Sequence, residues 1–267
     1  SDLASLQTRA VLDASRENYV VNGQKIWTSH AHHADWIFAL VRTSTEGKKQ
    51  EGISFLLIDM LTPGLEVKPI ISIDGGHYLN EVYFTDVKVP VANRIGEENL
   101  GWTYAKYLLG HERTGIAGVA KSKRKLEKLK EIAGLEQDSG EPLIDDPNFK
   151  SKVASVGIKL QALEVTNLRT LSAVSAGKSP GDASSILKIR GTEVEQELNE
   201  LLMQSIGYYA HPYRPGRLFN QQSNMIPVGG DHSVGLMEEH LLRRAASIYG
   251  GSNEIQKNII AKAIMGL

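Results

Sequence analysis

The spacing of apolar residues changes once along the chain, near Glu97, and this limits the fold to a β-rich part followed by a helical part. Before Glu97, short β-branched and aromatic runs recur at Tyr19-Val20-Val21, Gln24 to Thr28, Trp36 to Val41, Ile53 to Ile58, Leu65-Glu66-Val67 and Glu81 to Phe84. Turn chemistry at Glu46-Gly47, Thr62-Pro63-Gly64 and Asp74-Gly75-Gly76 separates them. Asn22-Gly23 between the first two runs predicts a tight hairpin, and strands at this spacing predict a small barrel or sandwich. After Pro90, apolar residues return at three- and four-residue steps over Trp102 to Ala133, Phe149 to Ala176, Ala183 to Ile206 and Leu236 to Met265. Four such segments predict a four-helix bundle, with loops at Asp138 to Pro142 and Tyr208 to Gly235. The expected fold is α+β: a small β-barrel or sandwich domain over residues 1–97, then a helical bundle over 98–267.

Composition removes several functional classes. Thirty Lys+Arg against 31 Asp+Glu leave a net charge of -1, so no bulk field draws in nucleic acid or an anionic membrane. The absence of cysteine excludes disulfides, thiolate metal sites and a cysteine nucleophile. No apolar run approaches the roughly 18–20 residues of a membrane span, and Ser1-Asp2-Leu3 does not open a signal peptide. A soluble, cytoplasmic protein with no nucleic-acid or membrane partner is expected. Ala176-Gly177-Lys178-Ser179 lacks the earlier glycine of a phosphate-binding loop and reads as a turn between helices. His30, His32, His33 and Asp35 read as a solvated or cofactor-adjacent loop, not a metal site. Lys121, Lys123, Arg124, Lys125, Lys128 and Lys130 read as one solvated helix face.

Four segments, in order, carry a resemblance. They are Ser1-Asp2-Leu3, Asn22 to Ser29 (NGQKIWTS), Glu112-Arg113 with Ala117, and Ile248 to Gln256 (IYGGSNEIQ). They resemble the T-E-P-x-A-G-S-D tail, N-G-x-K-x-W-x-[ST], E-R and I-Y-x-G-[ST]-x-x-I-Q segments of the acyl-CoA dehydrogenases. That family consists of flavoproteins that desaturate acyl-CoA thioesters. Its fold has an N-terminal helical domain, a middle β domain and a C-terminal four-helix bundle, and the chain corresponds to the last two.

The resemblance implies FAD as cofactor, with Trp27 packing on the isoalloxazine and Thr28 and Ser29 beside it, Ser29 bonding N5. Ser29 lies two residues beyond Trp27, on the same face if both belong to one strand. It further implies FAD contacts from Ser252 and Glu254, contacts of Gln204 and Gly207 with the FAD of a neighbouring subunit, and acyl-CoA contacts from Ser1, Arg113, Tyr249 and Gly251. Many members carry their catalytic glutamate directly after the tyrosine of I-Y-E-G-T, where this chain has Gly250. Glycine cannot take a proton. In isovaleryl- and long-chain-type members the base stands in the E-R segment, which points to Glu112. Leu108, Leu109, Gly115 and Ile116 surround Glu112 at helical spacing, so an apolar or closely packed face is expected, raising its pKa toward that of a general base. The Gly250 N–H remains available to the thioester oxygen.

Two further departures concern assembly. Glu136 and Ser139 stand where homotetrameric members carry Arg and Phe of R-x-x-F-G, and Tyr208 replaces the last glycine of Q-x-x-G-G. A carboxylate repels a pyrophosphate where a guanidinium attracts it. A heteromeric enzyme is therefore expected, a dimer of heterodimers with a homologous partner subunit, with electron-transfer flavoprotein as redox partner. The alternatives are a non-catalytic partner subunit and a flavin oxidase or monooxygenase on the same fold.

Overall fold

In the computed structural model the β-type runs form one seven-stranded sheet. Its strands are β1 (Arg9–Leu12), β2 (Asn18–Lys25), β3 (Trp36–Arg42), β4 (Ile53–Asp59), β5 (Leu65–Ile71), β6 (His77–Pro90) and β7 (Arg94–Ile95). Residues 2–178, 183–212 and 228–267 are described, except for the side chains of 110–114, 116, 183 and 264. The strand order is β5-β6-β2-β1-β3-β4-β7, with β1 and β3 parallel and the other neighbours antiparallel. Period-two alternation turns Tyr19 and Val21, Ala39 and Val41, Leu56 and Ile58, and Val87 and Val89 into one core. The Tyr19 hydroxyl inside it donates to Glu98 (2.8 Å) and accepts from Arg94 (2.9 Å), so burying it leaves no unsatisfied polar group.

Asn22-Gly23 does not make a hairpin. β2 runs straight through it, with a bulge against β6 between Val21 and Gly23. Gly23 has φ 134°, outside the left-handed well that such a turn needs, and a Cβ there would lie 2.8 Å from Thr8 Cα. Asn22 instead exchanges hydrogen bonds with Asp86, donating from Nδ2 to Oδ1 and accepting the Asp86 N–H, both at 2.9 Å. A two-residue hairpin does occur further on. Ser139 (φ 55°) and Gly140 (φ 94°) join β8 (Gln137–Asp138) to β9 (Glu141–Pro142).

The helices are α1 (Gly101–Ile116), α2 (Val119–Leu135), α3 (Pro147–Ser175), α4 (Ala183–Ile206), α5 (Leu236–Arg243) and α6 (Asn253–Ile264). The chain divides into a β unit, Ser1–Ser72 with His77–Leu109, and a helical unit, Ile73–Gly76 with Gly110–Leu267. In the helical unit α3 starts on Asp146, whose carboxylate accepts the Phe149 N–H at 2.7 Å, with Pro147 in the first turn. It stops at Gly177 (φ 76°), where the N–H groups of Gly177 and Lys178 return to Val174 and Ala173. This is the expected turn as far as Lys178; Ser179 lies outside the described residues. α4 supplies Leu187, Val194, Leu198, Leu201 and Leu202 to the core, which α2 and α3 share.

Two segments expected as single helices are broken. Trp102 to Ala133 splits into α1 and α2 because Gly118 takes φ 60°, and Gly191 of α4 comes so close that a Cβ there would lie 2.7 Å from the Ala117 carbonyl oxygen. Leu236 to Met265 splits between Arg243 and Asn253, through a 3-10 stretch (Arg244–Ser247) and the Gly250-Gly251 turn. The basic run on α2 is a solvated face as expected except at largely buried Lys125, which binds Glu239 (2.8 Å); exposed Lys123 and Lys130 also pair, with Glu164 (2.9 Å) and Glu127 (2.8 Å). No described helix is long and apolar enough to cross a membrane. Because backbone stands where a side chain at 191 would go, Gly191→Val should lower unfolding free energy by about 2 kcal/mol, read from urea denaturation of the helical unit's far-UV signal.

Candidate functional site

The expected residues fall into three groups, one in the β unit and two in the helical unit. In the β unit, β2 ends at Lys25 and the chain bends, so Trp27 and Ser29 are not related by strand alternation as expected. Trp27 instead adopts φ 62°, rare for an aromatic residue and costing on the order of 1 kcal/mol. The bend is held by buried Asn80 on β6. Its carbonyl accepts the Thr28 N–H at 2.9 Å, and its Nδ2 donates to the Thr28 carbonyl at 3.0 Å. His30 N–H donates to the Tyr78 carbonyl at 2.7 Å. The result is an indole 56% exposed, followed by the Thr28 and Ser29 hydroxyl groups, with no charged side chain among the three. That set suits a flat aromatic heterocycle with polar edge atoms.

Asn80 also joins the histidines. His77 Nε2 and Asn80 Oδ1 are 2.8 Å apart, Asn80 Nδ2 and His32 Nδ1 are 3.1 Å apart, and the His32 and His77 rings stack at 3.9 Å. Burial and the neighbouring His77 and His33 rings push His32 below its ordinary pKa. Among the described residues no cluster has the makings of a metal site.

The second group lies between Ser247 and α6. Gly250 (φ 66°) and Gly251 (φ 83°) are successive left-handed residues, a conformation that disfavours any L side chain. A glutamate at 250 would therefore strain this turn, whereas the Gly250 N–H costs nothing to present. Ser252 caps α6, its hydroxyl accepting the Ile255 N–H at 3.3 Å. The exposed Glu254 carboxyl bonds its own backbone N–H and the Ser252 hydroxyl and is held below the usual glutamate range. An exposed carboxylate beside a hydroxyl matches sugar-chain hydroxyls better than a phosphate. Tyr249 borders a cleft of about 690 Å³ with Ala117, Gly118, Asn167, Thr192 and Glu195. Its hydroxyl stands 3.5 Å from Arg243, which pairs with Glu195 at 3.2 Å.

The backbone places Glu112 and Arg113 in the last part of α1, while their side chains, like Ser1, lie outside the described residues. Leu108 and Leu109, expected to make the face around Glu112 apolar and closed, are exposed in the β unit (45% and 36%).

The third group, Gln204 and Gly207, lines a different cavity of about 570 Å³ with Met203, Ala210, Met237 and His240. None of these residues borders the Tyr249 cleft, so the structure separates Gln204 and Gly207 from Tyr249. Gln204 accepts from Lys152 at 3.0 Å. Glu136 is taken up by His232, 2.6 Å from its carboxylate. Residues 213–227 of the long loop lie outside the described residues.

Sequence reasoning missed Asn80, Arg243 and Lys188. For Lys188 a signal existed in the charge set between Leu187 and Ile189, on a helix face shared with Ser185 and Thr192. For Asn80 there was none, because its role arises only where β6 passes the bend.

Comparison with known proteins supplies a context for these groups. Residues 99–265 match the family model of the acyl-CoA dehydrogenase C-terminal domain, and residues 1–87 match that of the middle domain. The acyl-CoA dehydrogenase FadE26 of Mycobacterium tuberculosis is 36% identical over 277 aligned residues, covering all of this chain and 65% of its own length. The crystal structure of the ChsE4-ChsE5 complex from M. tuberculosis matches with a TM-score of 0.82 and 34% identity, over 100% of this chain and 65% of that one. The Tcur3481-Tcur3483 steroid acyl-CoA dehydrogenase matches with a TM-score of 0.84 and 27% identity, over the same shares. The chain thus spans about 65% of the length of these relatives.

Lys25, just before the bend, donates from Nζ to the Leu40 carbonyl at 2.6 Å, and burial pushes it down to about 8. Below pH 8 it is protonated folded and unfolded alike, so the cost of burying the charge is felt in full. From about 8 to 10.5 the unfolded chain holds the extra proton, so stability rises with pH by up to about 3 kcal/mol. Urea denaturation across that window should show wild type gaining on Lys25→Met as pH rises; parallel curves would contradict this.

Proposed function

The chain belongs to the acyl-CoA dehydrogenase family, and from that premise we propose that it serves α,β-desaturation of an acyl-CoA thioester as one subunit of a heteromeric, FAD-dependent enzyme. The observation that carries this reading is the Tyr249–Ser252 turn, in which the Gly250 N–H, without a backbone partner among the described residues, follows directly on Tyr249 at the border of the cleft. Trp27, Thr28 and Ser29 would hold the flavin ring, with Ser252 and Glu254 toward its sugar chain. When bound there, FAD supplies the two-electron acceptor for the hydrogen leaving the β carbon.

The chain's own residues would do the rest. The Gly250 N–H donates to the thioester oxygen, stabilising the negative charge that develops there as the α proton leaves. Glu112, on α1, takes that proton, because the position after Tyr249 has no side chain to do so. Arg113 and Gly251 would line the acyl-CoA path with Tyr249.

A heteromeric assembly is supported by Glu136. Its carboxylate is bound to His232 within the chain and offers no guanidinium to a neighbour's pyrophosphate. The ChsE4-ChsE5 relative is itself a complex of two named chains. A homologous partner subunit would supply the missing arginine, and electron-transfer flavoprotein would draw off the electrons.

The test uses the full-length protein co-expressed with its homologous partner, assayed with octanoyl-CoA and cyclohexanecarbonyl-CoA. Glu112→Gln should keep its flavin and lose about 10²- to 10⁴-fold in kcat; unchanged turnover would move the chemistry to the partner chain. Co-expression should raise flavin content toward one FAD per pair of chains. One FAD per chain in an active homo-oligomer would defeat the heteromeric reading.

A further inference from the structure

Lys188 is fully buried in the second turn of α4, between Leu187 and Ile189. A buried ammonium persists only where its hydrogen bonds are worth the lost hydration. Burial pushes it below the ordinary lysine range, with the Glu254 carboxylate opposing the shift. Its partners among the described residues are neutral: the Ser247 carbonyl at 3.1 Å and Asn253 Oδ1 at 2.8 Å. These two residues bracket the Ile248–Ser252 stretch, so one side chain ties both ends of the turn to the same point on α4. Its neighbours on that helix face act alike. Thr192 Oγ1 stands 3.3 Å from the same Asn253 oxygen, and Ser185 donates to Gln256 Oε1 at 2.8 Å. Gln256 is fully buried, its Nε2 has no partner among the described residues, and a Cβ on Gly251 would come within 2.5 Å of it.

We propose that Lys188 is a positioning residue: by bridging the Ser247 carbonyl and the Asn253 side chain, it holds the turn that presents Tyr249 and the Gly250 N–H to the thioester. A lysine suits the task because it has three donors on a stem long enough to cross from a helix interior to a neighbouring loop. No other described side chain bonds both ends of this turn. The role toward substrate rests on the function proposed above; the bridge itself does not.

The test compares Lys188→Met, Asn253→Leu and Asn253→Asp in the full-length, flavin-loaded assembly with octanoyl-CoA and cyclohexanecarbonyl-CoA. Lys188→Met keeps the apolar stem and removes every donor, whereas Asn253→Asp keeps the acceptor. Lys188→Met and Asn253→Leu should speed amide hydrogen exchange over residues 247–253 by about tenfold, with α3 unaffected. They should lower kcat about 10- to 100-fold with KM within about threefold, and Asn253→Asp should match wild type in both readouts. Unchanged exchange in folded Lys188→Met would overturn the bridge, and faster exchange with unchanged kcat would overturn the positioning role. If Lys188→Met does not fold, the contrast between Asn253→Leu and Asn253→Asp decides by the same readouts. A wild-type assembly that does not act on acyl-CoA would defeat the desaturase reading, while the exchange data would still decide the bridge.

Discussion

Two consecutive left-handed residues, Gly250 and Gly251, set the terms for the helical unit's end of the site. Only glycine enters that region without a Cβ penalty, and two in a row reverse the chain sharply enough to let α6 begin at once. The cap from Ser252 and the buried side chains of Asn253 and Gln256 depend on where that reversal leaves them. The same geometry changes the chemistry available. A carboxylate at 250 would have to accept a strained backbone, whereas an N–H is free.

The β unit solves a similar problem in another way. Trp27 also takes a left-handed conformation, but it is not glycine, so the strain must be outweighed by its surroundings. Asn80 does this by bonding Thr28 through both backbone and side chain, which leaves the indole exposed and unencumbered. An exposed tryptophan held by a strained bend fits a surface meant for an aromatic ligand better than a folding core, since nothing in the β unit covers most of it.

Several charges in the helical unit are tied to one another. Lys125, Glu195, Glu239 and Arg243 form a half-buried network reaching the Tyr249 hydroxyl, and Glu136 is bound to His232. Such pairs add little net stability once desolvation is counted, but they fix side chains in one arrangement. For Glu136 the consequence is that a residue standing where relatives carry an arginine becomes an internal strut.

The order of the two parts, the strand alternation, the amphipathic helices and the four motifs were all legible in the sequence, because periodicity and short motifs are local properties. What needed the tertiary structure was every feature set by a close approach between distant segments. The Asn22-Gly23 pair reads as a hairpin by local preference, yet Thr8 and Asp86 hold it inside a bulged strand. The helix expected from Trp102 to Ala133 is broken at Gly118, where Gly191, 74 positions beyond Ala117, comes against the Ala117 backbone. Lys188 shows no role in the sequence until Ser247 and Asn253 arrive beside it. Local preference selects among backbone states that differ by about 1 kcal/mol, and packing against a remote segment readily exceeds that margin.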